Sequence, residues 1–408
     1  MTTIGDVCEP PQYGWTTRAV PTGQIKLLRT TDISSGSIDW SAVPYCADVP
    51  DDLAKYMLRD GDIVISRSGS VGVSCLVLDP PPAVFASYLV RFRPKNVIDR
   101  RYLAHFLKSP AYWQQVHTLS SGIAMPNVNA RKMRAVEMPL PSSDRQHEIA
   151  RRLDEQTTQL AAAEAALVRA SVGIRRYRQV LIELACSGRL SVGPRTDEER
   201  KSAGLGSRVT TLGEVLTQPL RNGHSARRDA DGGVRIITLT AVTTGDFGSG
   251  NTKMTAADPS RVRELWLAPG DVLFERSNTA DLVGTARIYR GPADYAIYPD
   301  LVIRARVNAD VDLRYLELVL EWKRTRDYFR SRAVGIAGNM PKIDQATIAG
   351  MPLPLPSLAD QRALADDAVA RLDRLSALSA AVDAARRRVP RLRASVRDAA
   401  FPAGTLAA

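Results

Sequence analysis

Apolar residues return at strict sevens through one stretch of the chain: Leu153, Leu160, Leu167, Ile174 and Leu181. A second seam, Ile149, Gln156, Ala163, Ala170, Tyr177 and Leu184, runs beside it. This is a heptad pattern, a narrow stripe that needs a partner helix. It predicts one helix over about 143–185, roughly 60 Å long at 1.5 Å per residue. Ser142 or Ser143 can cap its start, after an extended Pro-Leu-Pro stretch. The pattern recurs near the end of the chain, with Leu375, Val382, Val389 and Val396 in one seam and Leu378, Ala385, Leu392 and Ala399 in the other. Neither helix can bury its stripe alone. The two are expected to pack on each other, antiparallel, because a globular body lies between them in sequence. The alternative is that each stripe faces another protein, and two seams leave room for both. Pro390 inside the second run is expected to kink it.

Before each helix the pattern changes. IKLLRT, GDIVISR, VSCLVL and YLVRFR are short runs rich in Ile, Val and Leu, bounded by Gly, Pro, Ser and Asp. They predict strands, and RVRELWLAPGDVLFER and LVIRARV play the same part later on. One helix per body is expected, over about 101–119 and 313–332, where Tyr102, Phe106 and Trp113 fall near a helical period.

The two halves are one module written twice. AMPNVNARKMRAVEMPLPSSDRQ begins at Ala124, and NMPKIDQATIAGMPLPLPSLADQ begins at Asn339. Met125-Pro126, Val128, Pro139, Pro141, Ser142, Gln146 and Ala150 meet Met340-Pro341, Ile343, Pro354, Pro356, Ser357, Gln361 and Ala365 at a constant offset of 215. Upstream the offset drifts, as loop insertions make it. TTIGDV resembles TTLGEV, GDIVISRSGSVG resembles GDVLFERSNTADLVG, and YLAHFL resembles YLELVL. A repeat this long is a whole module rather than a solenoid unit.

Composition narrows the classes. The chain has 408 residues and a net charge of +11, with arginine supplying most of the excess. That balance suits a polyanion, nucleic acid first. No window reaches the roughly 18 apolar residues of a membrane span. The opening MTTIGDVCEP lacks a basic region followed by an apolar run, so no export signal is expected. Cys8, Cys46, Cys75 and Cys186 lie far apart without CxxC, which predicts reduced thiols in a cytoplasmic protein. The four histidines show no metal-ligand spacing.

Two similar bodies joined to paired helices, on a basic chain, predict a reader of a split duplex site whose halves differ. The doubled Pro-Leu-Pro…Gln motif and the helix ending ACSGRL (Ala185 to Leu190) resemble the specificity subunit of Type I restriction-modification systems. GDIVISRSGSVG and SGIAMPNVN look like further family features; AFPAGTL and AGNMPKID in the second half depart from them. The resemblance implies an α+β chain. It would carry two similar mixed α/β target recognition domains separated by two long helices, which form an antiparallel coiled-coil spacer in a pseudo-twofold repeat. The expected bounds are 1–141 and 209–356 for these domains, 142–190 and 357–408 for the spacer helices with the C-terminal tail, and 191–208 for a linker. The implied partners are double-stranded DNA, two methyltransferase subunits and two motor-nuclease subunits. N6-adenine methylation with S-adenosylmethionine, and the Mg/ATP chemistry, would then belong to the partners. This chain would hold no cofactor or metal.

Motifs for chemistry of its own are weak. Asp79-Pro80-Pro81-Pro82 lacks the aromatic that an amino-methyltransferase loop stacks on a flipped base. Pro299-Asp300 with Glu321-Trp322-Lys323 mimics a metal-nuclease pattern, yet Glu321 falls in a predicted helix rather than on the strand that pattern requires. No phosphate loop with its Lys-Ser/Thr ending is present.

The candidate DNA contacts lie in loops. Arg67, Ser68 and Ser70 follow a predicted strand, and Arg276, Ser277 and Asn278 are their counterparts. Arginine pairs bidentately with guanine and Asn with adenine. Asn127, Asn129, Arg131 and Lys132 form a second polar-basic stretch, echoed by Lys342 and Gln345; these suit phosphate. Arg221, Arg227 and Arg228 flank a glycine-containing loop with no close echo in the first body, a place for differing specificity or a plain insertion. Arg91, Arg93, Arg304 and Arg306 alternate on strands and could line a basic face. Arg175, Arg176 and Arg178, with Arg386 to Arg388, suit the spacer surface.

Overall fold

The structure, a computed structural model, describes residues 1–120, 128–190, 208–335 and 340–402. The chain packs into two compact units, Met1–Arg169 with Asp383–Ala408, and Ala170–Val382. Compactness therefore cuts across the linear order. Each unit holds one body, the start of the helix that follows it, and the end of the other helix.

The bodies share one sheet topology. In the first, a four-stranded antiparallel sheet runs Gln12–Tyr13, Leu89–Phe92, Ile63–Ser66, Ser74–Leu76. In the second the order is Arg221–Asn222, Val302–Ala305, Val272–Glu275, Ala286–Ile288. The strands Ile63–Ser66 and Val272–Glu275 are buried along their whole length because each side faces a core. Ile63 and Ile65 join a cluster with Tyr102, Phe106 and Tyr112, while Val64 packs with Leu28 and Phe85. Val272 and Phe274 likewise join Tyr315 and Leu316, while Leu273 packs with Val234 and Ile236. Side chains alternate across a strand, so a continuous apolar run fits a doubly covered strand. Gly72 and Gly284, each with positive φ, turn the chain at matching places; a Cβ there would meet Val116 in the first body and Phe329 in the second.

Each body has two consecutive helices where the pattern predicted one. They are Arg100–Phe106 and Pro110–Ser120 in the first body, Leu313–Glu321 and Lys323–Arg332 in the second. Pro110 takes the first position of a new helix, where its missing N–H costs nothing, and Trp322 breaks the second pair with an extended backbone.

The long helices are Ser143–Cys186 and Leu358–Ala400. The second continues through Pro390 without interruption. In the first unit Glu164 pairs with Arg393 at 2.7 Å, while Ala150 and Leu153 share a core with Phe401. In the second unit Arg371 lies against Tyr177, while Ile182 and Ala185 share a core with Leu364 and Ala365. Within each unit, higher numbers on one helix meet lower numbers on the other, so the pairing is antiparallel. One seam does most of the packing, with Ile149 and Leu184 of the other seam adding to it at the helix ends. Leu153, Leu181, Val382 and Val389 are buried, and Leu160, Leu167, Ile174, Leu375 and Val396 are half-buried. Ala163, Ala170, Tyr177, Leu378, Leu392 and Ala399 of the other seam stay exposed.

Candidate nucleic-acid interface

Arg67 leaves the end of the strand Ile63–Ser66 in a fixed backbone frame. Its N–H donates to Tyr88 O at 2.9 Å, and its carbonyl accepts from Val128 N–H at 3.1 Å. Arg276 repeats the frame, donating to Leu301 O at 2.9 Å and accepting from Ile343 N–H at 2.8 Å. Both guanidiniums keep a buried Nε without a partner.

In the first unit the Arg67 guanidinium lies over the Tyr13 ring, 4.9 Å from its centroid. The Tyr13 hydroxyl in turn accepts from Ala130 N–H at 3.0 Å. Asn129 caps the helix Ala130–Arg134 by accepting from Lys132 N–H at 2.9 Å, a role its side chain suits. Lys132 Nζ donates to Leu119 O at 3.0 Å. Asn129 and Lys132 thus build the frame, while Ser70 and Arg131 are exposed and Ser68 is half-buried. Asn127 and the rest of 121–127 lie outside the described residues.

In the second unit Ser277 is fully buried and bridges Lys342, which is exposed. Asn278 donates to Glu275 Oε2 at 2.6 Å, and Thr243 donates to Glu275 Oε1 at 2.5 Å. Burial holds the Glu275 carboxyl above its usual range, against the lowering effect of those two donors. Asn278 is therefore occupied inside the body. Gln345 Nε2 donates to Asn222 Oδ1 at 3.0 Å, which ties the Lys342 segment to the Arg221–Asn222 strand. Arg221 pairs with Glu264. Arg227 and Arg228 are exposed beside the strand Thr252–Thr255, where Arg227 O accepts from Ala256 N–H.

The loop at Arg221 does have an echo. Gln12–Tyr13 and Arg221–Asn222 are matching edge strands, and the following glycines, Gly14 and Gly223, both pack so closely on a crossing backbone that a Cβ would lie 2.2 Å from a carbonyl oxygen. Tyr13 and Asn222 occupy the same place and contact the same neighbouring segment. Sequence reasoning missed this pair because QYG and RNG share only the glycine. The strand arginines form no open basic face. Arg93 pairs with Asp62 at 2.8 Å, Arg306 pairs with Asp271, Arg91 donates to Lys55 O and Met57 O, and Arg304 donates to Trp266 O. Glu321 ends a helix and pairs with Arg178 at 2.6 Å and Arg287 at 3.5 Å, while Lys323 pairs with Asp327. Among the described residues no cluster of three His, Cys, Asp or Glu could hold a metal, and no helix is long and apolar enough to cross a membrane.

Comparison with known proteins covers the first body by family model and nearly the whole chain by fold. Residues 3–167 match the family model of the Type I restriction modification DNA specificity domain. The StySPI specificity subunit of Salmonella potsdam, a Type I restriction enzyme component, is 27% identical over 346 residues, covering 83% of this chain and 73% of its own. The EcoKI specificity subunit of Escherichia coli is 27% identical over 303 residues, covering 72% of this chain and 64% of its own. The fold matches that of the HsdS subunit from Thermoanaerobacter tengcongensis with a TM-score of 0.62 at 18% identity, covering 98% of this chain and 95% of that one. A chain from a study of assembly and conformational transition in the type I R-M system gives a TM-score of 0.72 at 17% identity, covering 98% of this chain and 96% of that one.

Proposed function

We infer that this chain, a member of the Type I restriction-modification specificity family, reads a bipartite and asymmetric DNA site, one half-site for each body. The observation that carries the reading is the doubled arginine frame: Arg67 and Arg276 leave equivalent strands on equivalent hydrogen bonds, amid different neighbours. A shared frame aims one guanidinium from each body. Arginine is the side chain that pairs bidentately with guanine in the major groove. The neighbours that differ, Tyr13 with Ser68 and Ser70 against Asn222, would make the half-sites differ. Exposed Arg131 and Lys342 suit phosphate, which positions without specifying.

The exposed seam of the long helices suits the docking of two methyltransferase subunits, and motor-nuclease subunits would join that complex. Chemistry is assigned to those partners: methylation of adenine N6 with S-adenosylmethionine, and cleavage driven by Mg/ATP. In this reading the chain itself is non-catalytic and works in the cytoplasm, where the DNA is.

The test is a genome-wide map of N6-methyladenine with and without this chain. Loss of methylation from one split motif supports the reading and supplies both half-sites and the gap. An unchanged map rejects it.

A further inference from the structure

The doubled Pro-Leu-Pro…Gln motif supplies none of the candidate base contacts, yet its glutamines are among the most buried polar residues described. Gln146 is 2% exposed and Gln361 0%. Each sits in the first turn of a long helix and makes the same three bonds. Gln146 Oε1 accepts from Asp99 N–H at 2.8 Å, and its Nε2 donates to Val97 O at 3.2 Å and Pro141 O at 2.9 Å. Gln361 Oε1 accepts from Asp312 N–H at 2.9 Å, and its Nε2 donates to Asp310 O at 2.9 Å and Pro356 O at 3.0 Å.

The three bonds join three different parts. Pro141 and Pro356 belong to the segment entering the long helix. Val97 and Asp310 belong to the turn before a body helix. Asp99 and Asp312 cap that body helix, accepting from Arg101 and Tyr102 N–H in one unit and from Arg314 and Tyr315 N–H in the other. One amide therefore clamps the base of a body helix to the base of a long helix. Only an amide side chain offers two N–H donors beside a carbonyl acceptor, the set used here. Glutamate would lose the two donated bonds and place a charge beside an aspartate. An apolar residue would leave three backbone groups unpaired. Three bonds in three directions define an angle, which apolar packing alone does not.

We propose that Gln146 and Gln361 are positioning residues that set the angle between each recognition body and its long helix, and through it the gap length accepted between half-sites. This rests on the split-site reading above. Because the clamp occurs at both bodies with the same geometry, either copy alone controls the register of its own half-site.

The experiment replaces the chain in its source cell by Gln146→Ala, Gln361→Ala or, as a control, Leu153→Ala. It then maps N6-methyladenine at the native gap and at gaps one base pair shorter and longer. The wild type is expected to methylate a single gap. Each glutamine variant is expected to raise the share of methylated sites at off-by-one gaps at least about tenfold, an energy difference of about 1.4 kcal/mol. Leu153→Ala lowers methylation in common proportion and adds no new gap, as a purely structural loss does. Where an alanine variant accumulates poorly, Gln146→Asn keeps the amide and shortens its reach, and it is expected to shift or broaden the gap. Folded glutamine variants that retain one unchanged gap overturn the proposal, whatever their methylation level. A wild-type map with no split motif overturns the underlying reading instead.

Discussion

The two units end their helix pairs differently. In the first, Phe401 closes the second long helix against Tyr102, at 5.1 Å between ring centroids, and Phe106, at 5.6 Å. The residue 215 positions earlier is Cys186, buried in the second unit among Tyr315 and Val319, with its thiol pushed up by burial. Phe401 and Phe106 of the first unit thus correspond to the smaller Cys186 and Val319 of the second, while Tyr102 and Tyr315 match. The volume returns elsewhere. Trp322 is buried in the second body and donates to Glu183 at 2.5 Å, where the first body has Ser109. Polar pairing diverges too. Lys108 of the first body donates to Gly36 O, while its counterpart Glu321 takes two arginines. The repeat therefore keeps backbone hydrogen bonds and the amide clamp but lets volume and charge drift. A frame bond cannot be moved without unpairing a buried group, whereas volume has many equivalent solutions.

The sharpest way to break this comparison is to remove the two plugs. Phe401→Ala should cost the first unit about 3–5 kcal/mol in denaturant unfolding, as truncation of a buried aromatic does. Cys186→Ala should cost the second unit only about 1 kcal/mol, in the range of an ordinary substitution. Equal losses would mean that the two ends carry equal weight.

Next in size is the arginine pair. Arg67→Ala and Arg276→Ala should each lose about 1–3 kcal/mol of base discrimination in one half-site only. Binding to duplexes altered in one half at a time measures this. Loss in both halves from one variant would show that the bodies do not read independently.

A pH difference should also separate the units. His105, 2.7 Å from Asp154 Oδ1, is held below its usual pKa, chiefly by burial, although Asp154 pulls the other way. The unfolded chain then takes up a proton first as pH falls. Stability in the first unit should be lost as pH drops from about 6.5 toward the lowered native value. The second body has Leu318 at this place. Unfolding temperature against pH should flatten in His105→Leu, and an unaltered slope would assign the acid sensitivity elsewhere. The smallest effect belongs to Arg393 and Glu164, both partly exposed. Arg393→Met should change stability by less than about 1 kcal/mol, and thermal unfolding in high salt should reduce even that.

Much of the architecture was legible because its signals are periodic or repeated. Seven-residue spacing names a helix with a partner, and two copies of one motif name two bodies. The matching edge strands were not legible, since Tyr13 and Asn222 share neither size nor chemistry. The break between body helices at Trp322 was invisible, because a run of good helix formers spans it. Among candidate contacts, the sequence could not separate Arg67, stacked on Tyr13, from Arg93, paired with Asp62.

By itself the sequence determined the duplicated module, the two long helices and the basic balance, because each is a property of spacing or composition that survives without coordinates. Only the tertiary structure decided which heptad seam is buried, which arginines are spent on internal carboxylates, and that two glutamines clamp body to helix. Those outcomes depend on partners far away in the chain. A side chain's free valences are set by whichever of them the fold brings within hydrogen-bond reach.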